Sequence, residues 1–199
     1  MLDPIARRLI DPPLNWCAPY IKATPTQITL IGFGFGVASF ICILQDYFIF
    51  GLVLLFLNRL CDGLDGAVAR AHDQTTDLGA YIDIVADFLL WALLPVAFAY
   101  HNPENAMAAA VLLSSFAMSM TTFLAFAILA EKRQLTSTAQ GKKSFFYLAG
   151  LAEGSETILF FAACFIWPDL FVPFALAFAA LVYLSSLGRI MSSWQELRK

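Results

Sequence analysis

Charge is what this chain has least of. Asp, Glu, Lys and Arg make up 14% of its 199 residues, against 60% hydrophobic, where a soluble domain carries about a quarter charged residues. A chain this short cannot hide so much apolar surface in one core. That excludes an ordinary soluble domain and predicts an integral membrane protein with one domain over residues 1–199. Charge of either sign is also nearly balanced, with a net −3 and no basic arm, so no nucleic-acid partner is expected. Cysteine is scarce: Cys17, Cys42, Cys61 and Cys164 have no metal-ligand spacing, which excludes a zinc module and leaves buried thiols as the expectation for the three in apolar stretches. Internal repeats and low-complexity linkers are lacking. A cleaved signal is not expected either, because MLDPIARRLIDPPL is interrupted by Asp3, Arg7, Arg8 and Pro12–Pro13. In that opening Leu2, Ile5, Ala6, Leu9 and Ile10 share a helical face, so residues 1–22 read as an amphipathic helix lying on the membrane.

What is present is oil in six pieces: Pro25 to Leu44, Tyr47 to Ala71, Leu78 to Tyr100, Ala106 to Ala130, Ser144 to Trp167 and Leu170 to Ile190. Each is close to the ~20 residues that cross a bilayer as a helix. The fold class expected is all-α, a six-helix transmembrane bundle over residues 25–190 behind the interfacial helix. Thr24 fits an N-cap and Pro25 the first helical position. Gly32, Gly34 and Gly36 give the first span a thin face for close contact within the bundle. The basic residues are one-sided. Arg7, Arg8 and Lys22 precede span one, and Arg59 and Arg70 lie in the second half of span two. Lys132, Arg133, Lys142 and Lys143 join spans four and five, and Arg189, Arg198 and Lys199 close the chain. The connections after spans one, three and five have none, so both termini and the four-to-five loop are expected in the cytoplasm.

Against that background CDGLDGAVARAHDQTTDLGAYIDIVADF is out of place, with aspartates set into two spans. Asp62 and Asp65 are three residues apart, and Asp83 and Asp87 four apart, so each pair shares a helix face. Counted at ~1.5 Å per residue from Ala71 and Leu78, Asp62 and Asp87 lie roughly 13–14 Å in, and Asp65 and Asp83 roughly 8–9 Å in. In an antiparallel hairpin the pairs meet at matching depth. Each carboxylate costs about 2.5–3.5 kcal/mol near the bilayer centre, and four together repel. Arg59 and Arg70 neutralise only part of that charge; two divalent cations balance it. All-oxygen ligation points to Mg²⁺, Mn²⁺ or Ca²⁺, and a pair of ions about 3.5–4 Å apart clamps a phosphoryl group. Gly66, Ala67 and Ala69 leave room beside Asp65, and Gly79 does so one turn before Asp83. Arg70 offers forked donors to phosphate, and Thr75 and Thr76 could donate from the turn. Isolated intramembrane aspartates often form ion pairs or relay protons, but that reading leaves the spaced glycines and Arg70 unexplained.

The pattern Asp62-x-x-Asp65-Gly66-x-x-Ala69-Arg70, followed by Gly79-x-x-x-Asp83-x-x-x-Asp87, resembles the signature of the CDP-alcohol phosphotransferases at every defining position. The six-span layout, the amphipathic start and Thr24-Pro25-Thr26-Gln27-Ile28-Thr29 extend the resemblance over most of the chain. It implies transfer of a phosphatidyl group from CDP-diacylglycerol, or a similar CDP-linked lipid, to an alcohol with release of CMP. It also implies two Mg²⁺ or Mn²⁺ ions on Asp62, Asp65 and Asp83, with Asp87 completing the site and acting as general base. Asp62, Gly66, Arg70, Thr76 and Gly79 would contact the CDP-lipid, with Thr29 helping to hold the nucleotide. A homodimer follows from the same resemblance; the depth of the aspartates below the cytoplasmic helix ends puts the active site toward the cytoplasm, and a bacterial inner membrane is the expected location.

The acceptor is less legible: glycerol phosphate, inositol phosphate and a neutral alcohol all stay open. Glu153 and Glu156 in span five fall at the depth of the aspartates, roughly 13 and 18 Å in. One of them is expected to brace Arg59 and the other to bind acceptor hydroxyls. Lys132, Arg133, Lys142, Lys143 and Arg189 suit an acceptor phosphate, although such charges mostly set topology. Ser144, Tyr147, Ser155 and Thr157 are candidate polar lining; His72 and His101 read as turn residues. Two other classes share part of this pattern. An intramembrane prenyltransferase also pairs aspartates with metal, but needs more helices and lacks the Gly-x-x-Ala-Arg element. A divalent-cation transporter would use the aspartates for permeation, but it leaves Gly66, Arg70 and Gly79 without a role and shows no inverted repeat.

Overall fold

The computed structural model describes residues 3–133 and 154–198. Among them the regular structure is entirely helical. Helix α1 is Asp3–Cys17, followed by a 3₁₀ turn, Ala18–Tyr20. Then come α2, Pro25–Leu44; α3, Phe48–Ala71; α4, Asp77–His101; and α5, Ala106–Lys132. Helix α6 is Gly154–Ile166 and α7 is Phe171–Leu197. Four stretches are long and apolar enough to cross a membrane: Pro25–Leu44, Asp77–His101, Pro103–Lys132 and Pro168–Leu197. The chain is therefore a multi-pass membrane protein. Helix α3 is 24 residues long but spends its second half on Arg59, Asp62, Asp65 and Arg70, which lowers its hydropathy. Helix α6 is a shorter apolar helix within the described residues.

The local signals explain the helix ends. Thr24 Oγ1 accepts from the Gln27 amide at 3.3 Å, and Gln27 Oε1 accepts from the Thr24 amide at 3.0 Å. This reciprocal capping box starts α2 on the proline that follows. Thr76 Oγ1 accepts from the Gly79 amide at 3.0 Å and starts α4. The tight turn between α3 and α4 takes Asp73 into left-handed backbone at φ 53°, which an aspartate tolerates better than most residues. His72 and His101 sit at the C-terminal ends of α3 and α4, as expected of residues flanking turns.

Helix α2 packs on both α3 and α4, and α5 on α7. A Cβ added at Gly32 would fall 2.7 Å from Cys61 Cβ, and one at Gly36 would fall 2.7 Å from Leu90 Cδ1. Those two glycines set the close approach of α2 to α3 and to α4. Gly34 has nothing within 4 Å, so the thin face is two glycines deep rather than three. The apolar core lies toward the end of the hairpin away from the aspartates, around Leu55, Leu90, Leu94, Phe98, Leu112, Phe161, Phe165 and Phe171. Phe98 stacks on Phe171 at 4.7 Å between centroids, and Trp91 on Phe161 at 5.6 Å. A smaller cluster of Ala18, Ile28, Ala67 and Val68, with Leu14 and Ile21 against it, fastens the N-terminal segment to α2 and α3. Helix α1 carries Pro12 and Pro13 inside it and continues to Cys17, past the double proline that interrupts the sequence pattern. Its Leu9, Trp16 and Tyr20 just beyond it are exposed, at 74%, 73% and 77%. Of the cysteines, Cys164 is buried, Cys42 and Cys61 are half-buried and Cys17 is exposed; all four are free thiols.

Candidate active site

Helices α3 and α4 run antiparallel about the Asp73 turn, and their aspartates meet as the spacing predicts. Asp62, Asp65, Asp83 and Asp87 line one narrow void together with Thr29, Gly32 and Asn58. Its volume is about 10 Å³, the space of a single water-sized sphere. Above it opens a cleft of about 480 Å³, lined by Thr24, Thr26 and Thr29 of the α2 entry, Asp65, Gly66 and Arg70 of α3, and Thr76, Gly79 and Asp83 of α4. Asp65 and Asp83 border both spaces. The expected CDP-lipid set is thus gathered in the cleft, except Asp62, which lies in the void below.

Each cleft residue has a local reason for its place. A Cβ on Gly66 would sit 3.1 Å from Arg70 Nη1, so glycine lets the guanidinium fold back over its own helix turn. A Cβ on Gly79 would sit 3.1 Å from Thr76 Oγ1, so glycine leaves the α4 cap undisturbed. Thr76 accepts a hydrogen bond there and still has its own O–H to give to a ligand oxygen. Asp77 is the first residue of α4, so the positive end of that helix lies at the cleft, with the Gly79 amide already taken by the Thr76 cap. Thr29 Oγ1 donates to Asp65 Oδ2 at 2.6 Å, a contact that the sequence reading missed. The family resemblance gives Thr29 to the nucleotide; its hydroxyl meets a carboxylate, and Thr29 lines the cleft as well.

The deep end of the cluster differs from expectation. Arg59 was expected on Glu153 or Glu156. Among the described residues its ion pairs are with Asp87, Nη2 to Oδ1 at 2.6 Å, and with Asp62, Nη1 to Oδ2 at 3.6 Å. The sequence signal was available: Arg59 is three residues before Asp62 and so shares its face. Glu156 opens α6, and Glu153, Lys142, Lys143, Ser144 and Tyr147 lie outside the described residues. Arg189 is buried on α7 and donates from Nη1 to the Ser119 carbonyl of α5 at 2.9 Å. It borders neither the void nor the cleft described above.

The donor set suits a hard divalent cation, because four carboxylates offer only oxygen. As the side chains stand, no three acidic, histidine or cysteine groups among the described residues are placed to hold one ion. The carboxylates are turned to nearer partners, Asp65 to Thr29 and Asp87 to Arg59. The fit therefore rests on the chemistry of the donors and on their shared void.

A family model for CDP-alcohol phosphatidyltransferase matches residues 22–186. The chain is 41% identical to the Escherichia coli inner membrane protein YnjF over 202 aligned positions, covering 100% of this chain and 98% of that one. It is 37% identical to the archaetidylinositol phosphate synthase of Pyrococcus horikoshii over 67 residues, 33% of this chain and 35% of that one. Among solved structures, the phosphatidylinositol phosphate synthase of Mycobacterium tuberculosis, determined with CDP-DAG bound, superposes with a TM-score of 0.55 at 19% identity, over 96% of this chain and 92% of that one. The last likeness speaks for the fold, while the family match and the full-length relative settle membership. The chain belongs to the CDP-alcohol phosphatidyltransferase family and is a membrane-embedded transferase of that class.

Proposed function

We propose that this enzyme transfers the phosphatidyl group of CDP-diacylglycerol to an alcohol acceptor and releases CMP, using the carboxylates of α3 and α4. The observation that carries this reading is the shared void of Asp62, Asp65, Asp83 and Asp87 at the floor of a cleft lined by Thr29, Gly66, Arg70, Thr76 and Gly79. The M. tuberculosis neighbour's bound CDP-DAG supports the choice of donor.

In this reading the diphosphate of the donor lies in the cleft, between Arg70 and the capped start of α4. Arg70 supplies forked donors to its oxygens, and the positive end of α4 at Thr76 favours its negative charge. Asp62, Asp65, Asp83 and Asp87 would hold two Mg²⁺ or Mn²⁺ ions, which supply charge neutralisation at the phosphates when bound. The acceptor hydroxyl attacks the phosphorus that carries diacylglycerol, and the bond from that phosphorus to the CMP oxygen breaks. Asp87 takes the hydroxyl proton as the new P–O bond forms, and CMP leaves with the electron pair. Cytidine enters from water and the acyl chains from lipid, so a polar layer just beneath one membrane face serves both.

The same reading takes the six apolar segments as six spans of a single domain, with α1 lying on the cytoplasmic surface of an inner membrane and both termini on that side. The one-sided Lys and Arg distribution supports that orientation, and exposed Leu9 and Trp16 support the surface position of α1. A homodimer is part of the proposal by family resemblance.

The test is CMP release by the purified enzyme from CDP-diacylglycerol with Mg²⁺ or Mn²⁺. The acceptors offered are inositol phosphate, glycerol phosphate and neutral alcohols, and the lipid formed is identified by mass. CMP release that depends on one acceptor class and stops with chelator is expected. No CMP with any acceptor would overturn the reading.

A further inference from the structure

Within the carboxylate cluster one residue has no part in the family signature and yet pairs with two of the four carboxylates. Arg59 reaches Asp87 Oδ1 at 2.6 Å with Nη2, and Asp62 Oδ2 at 3.6 Å with Nη1. Its Nε donates to Asn58 Oδ1 at 2.7 Å. Asn58 is itself fixed, because its Nδ2 donates to the Gly32 carbonyl of α2 at 2.9 Å. The guanidinium lies over the Trp91 ring, 4.6 Å from its centroid, and Trp91 stacks on Phe161 in the apolar core. The side chain of Arg59 is only 12% exposed.

These contacts differ from what an opportunistic ion pair would make. A cation that only offsets charge needs no fixed orientation. Here Nε is spent on a neutral amide, and the ring plane below sets the tilt of the guanidinium, so the two outer nitrogens can point only at Asp87 and Asp62. An arginine held on three sides against a packed core fixes the carboxylate it grips.

We infer that Arg59 is a positioning residue for the proton-accepting carboxylate. It holds Asp87 in line for the acceptor hydroxyl and acts as a built-in cation at the deep end of the cluster. The inference rests on the function proposed above. Because Arg59 repels any divalent cation bound to the same carboxylates, removing its charge tightens metal binding while slowing turnover. A purely structural arginine would do neither: its loss would loosen the whole cluster and weaken metal binding.

The experiment compares wild type, Arg59→Gln and Arg59→Lys in detergent or nanodiscs. Mn²⁺ affinity is read by electron paramagnetic resonance of the free ion, separately from kcat and from KM for CDP-diacylglycerol. Arg59→Gln is expected to bind Mn²⁺ about five- to tenfold more tightly, the effect of one elementary charge at close range. Its kcat should fall on the order of 100-fold, as a misplaced catalytic group does, with KM for the lipid within about twofold. Arg59→Lys keeps the charge but not the fork, so Mn²⁺ affinity should stay within about twofold while kcat falls about tenfold. Should Arg59→Gln fail to fold, the lysine variant alone decides. Unchanged or weaker Mn²⁺ binding in a folded glutamine variant, or an undiminished kcat in the lysine variant, would overturn the inference. Wild type that releases no CMP would instead overturn the proposed function, so the two failures are distinguishable.

Discussion

Helices α3 and α4 are each two helices in one. At one end of the hairpin both carry fully buried residues of the apolar core, Leu55 on α3 and Leu90, Leu94 and Phe98 on α4, and Phe98 stacks on Phe171 of α7 and meets Phe165 of α6 edge-on. At the other they meet through Asn58, Arg59, Asp62, Asp65, Asp83 and Asp87. The first half is held by contact area, where a change of shape is felt as lost packing and little else. The second is held by directed bonds to groups that repel one another, so it costs stability and is kept for chemistry. The contrast teaches where this chain can be altered for fold and where for function.

The sharpest way to break the comparison is a pair of substitutions with opposite signatures. Asp83→Asn should lower CMP release about 10³-fold, yet raise the chelator-treated protein's melting temperature, because one half-buried repelling charge is gone. A falling melting temperature would mean that the carboxylates stabilise the hairpin. Leu94→Ala should do the reverse, costing about 2–5 kcal/mol of stability with kcat per folded molecule unchanged; a loss of kcat matching that of Asp83→Asn would erase the distinction between the halves. The smallest effect is expected at the border. Thr76→Val removes the cap acceptor of α4, a change of about 1 kcal/mol, and the hydroxyl offered to the diphosphate. KM for the CDP-lipid should rise a few-fold with kcat nearly intact, as measured by initial rates; an unchanged KM would remove Thr76 from the cleft's chemistry.

The same division governed what was legible before the structure. Helix boundaries were, because the signals are local: Thr24, Pro25 and Gln27 announce α2, and α3 and α4 begin and end within a residue or two of the apolar limits. The meeting of the four aspartates was also legible, since helical rise and period fix depth and face. Partner choice was legible only in part, through the helix face that Arg59 shares with Asp62. Arg59 could reach a carboxylate on its own face, on α4 or on α6, and depth alone does not rank them. The choice follows from Asn58 and Trp91, which aim the guanidinium at Asp87 and Asp62, and Trp91 is brought there by helix rotation rather than by spacing. Thr29 is similar: its hydroxyl faces both the cleft and Asp65, and only the approach of α2 to α3 at Gly32 brings the second within 2.6 Å.

Equilibrium dialysis of Mn²⁺ against the purified enzyme, wild type beside the Asp62→Asn/Asp83→Asn double variant, bears most directly on the shared carboxylate site. Two ions per wild-type chain are expected, with both lost or severely weakened in the double variant. Wild type that takes up no Mn²⁺, or a double variant that takes up as much as wild type, would contradict the account.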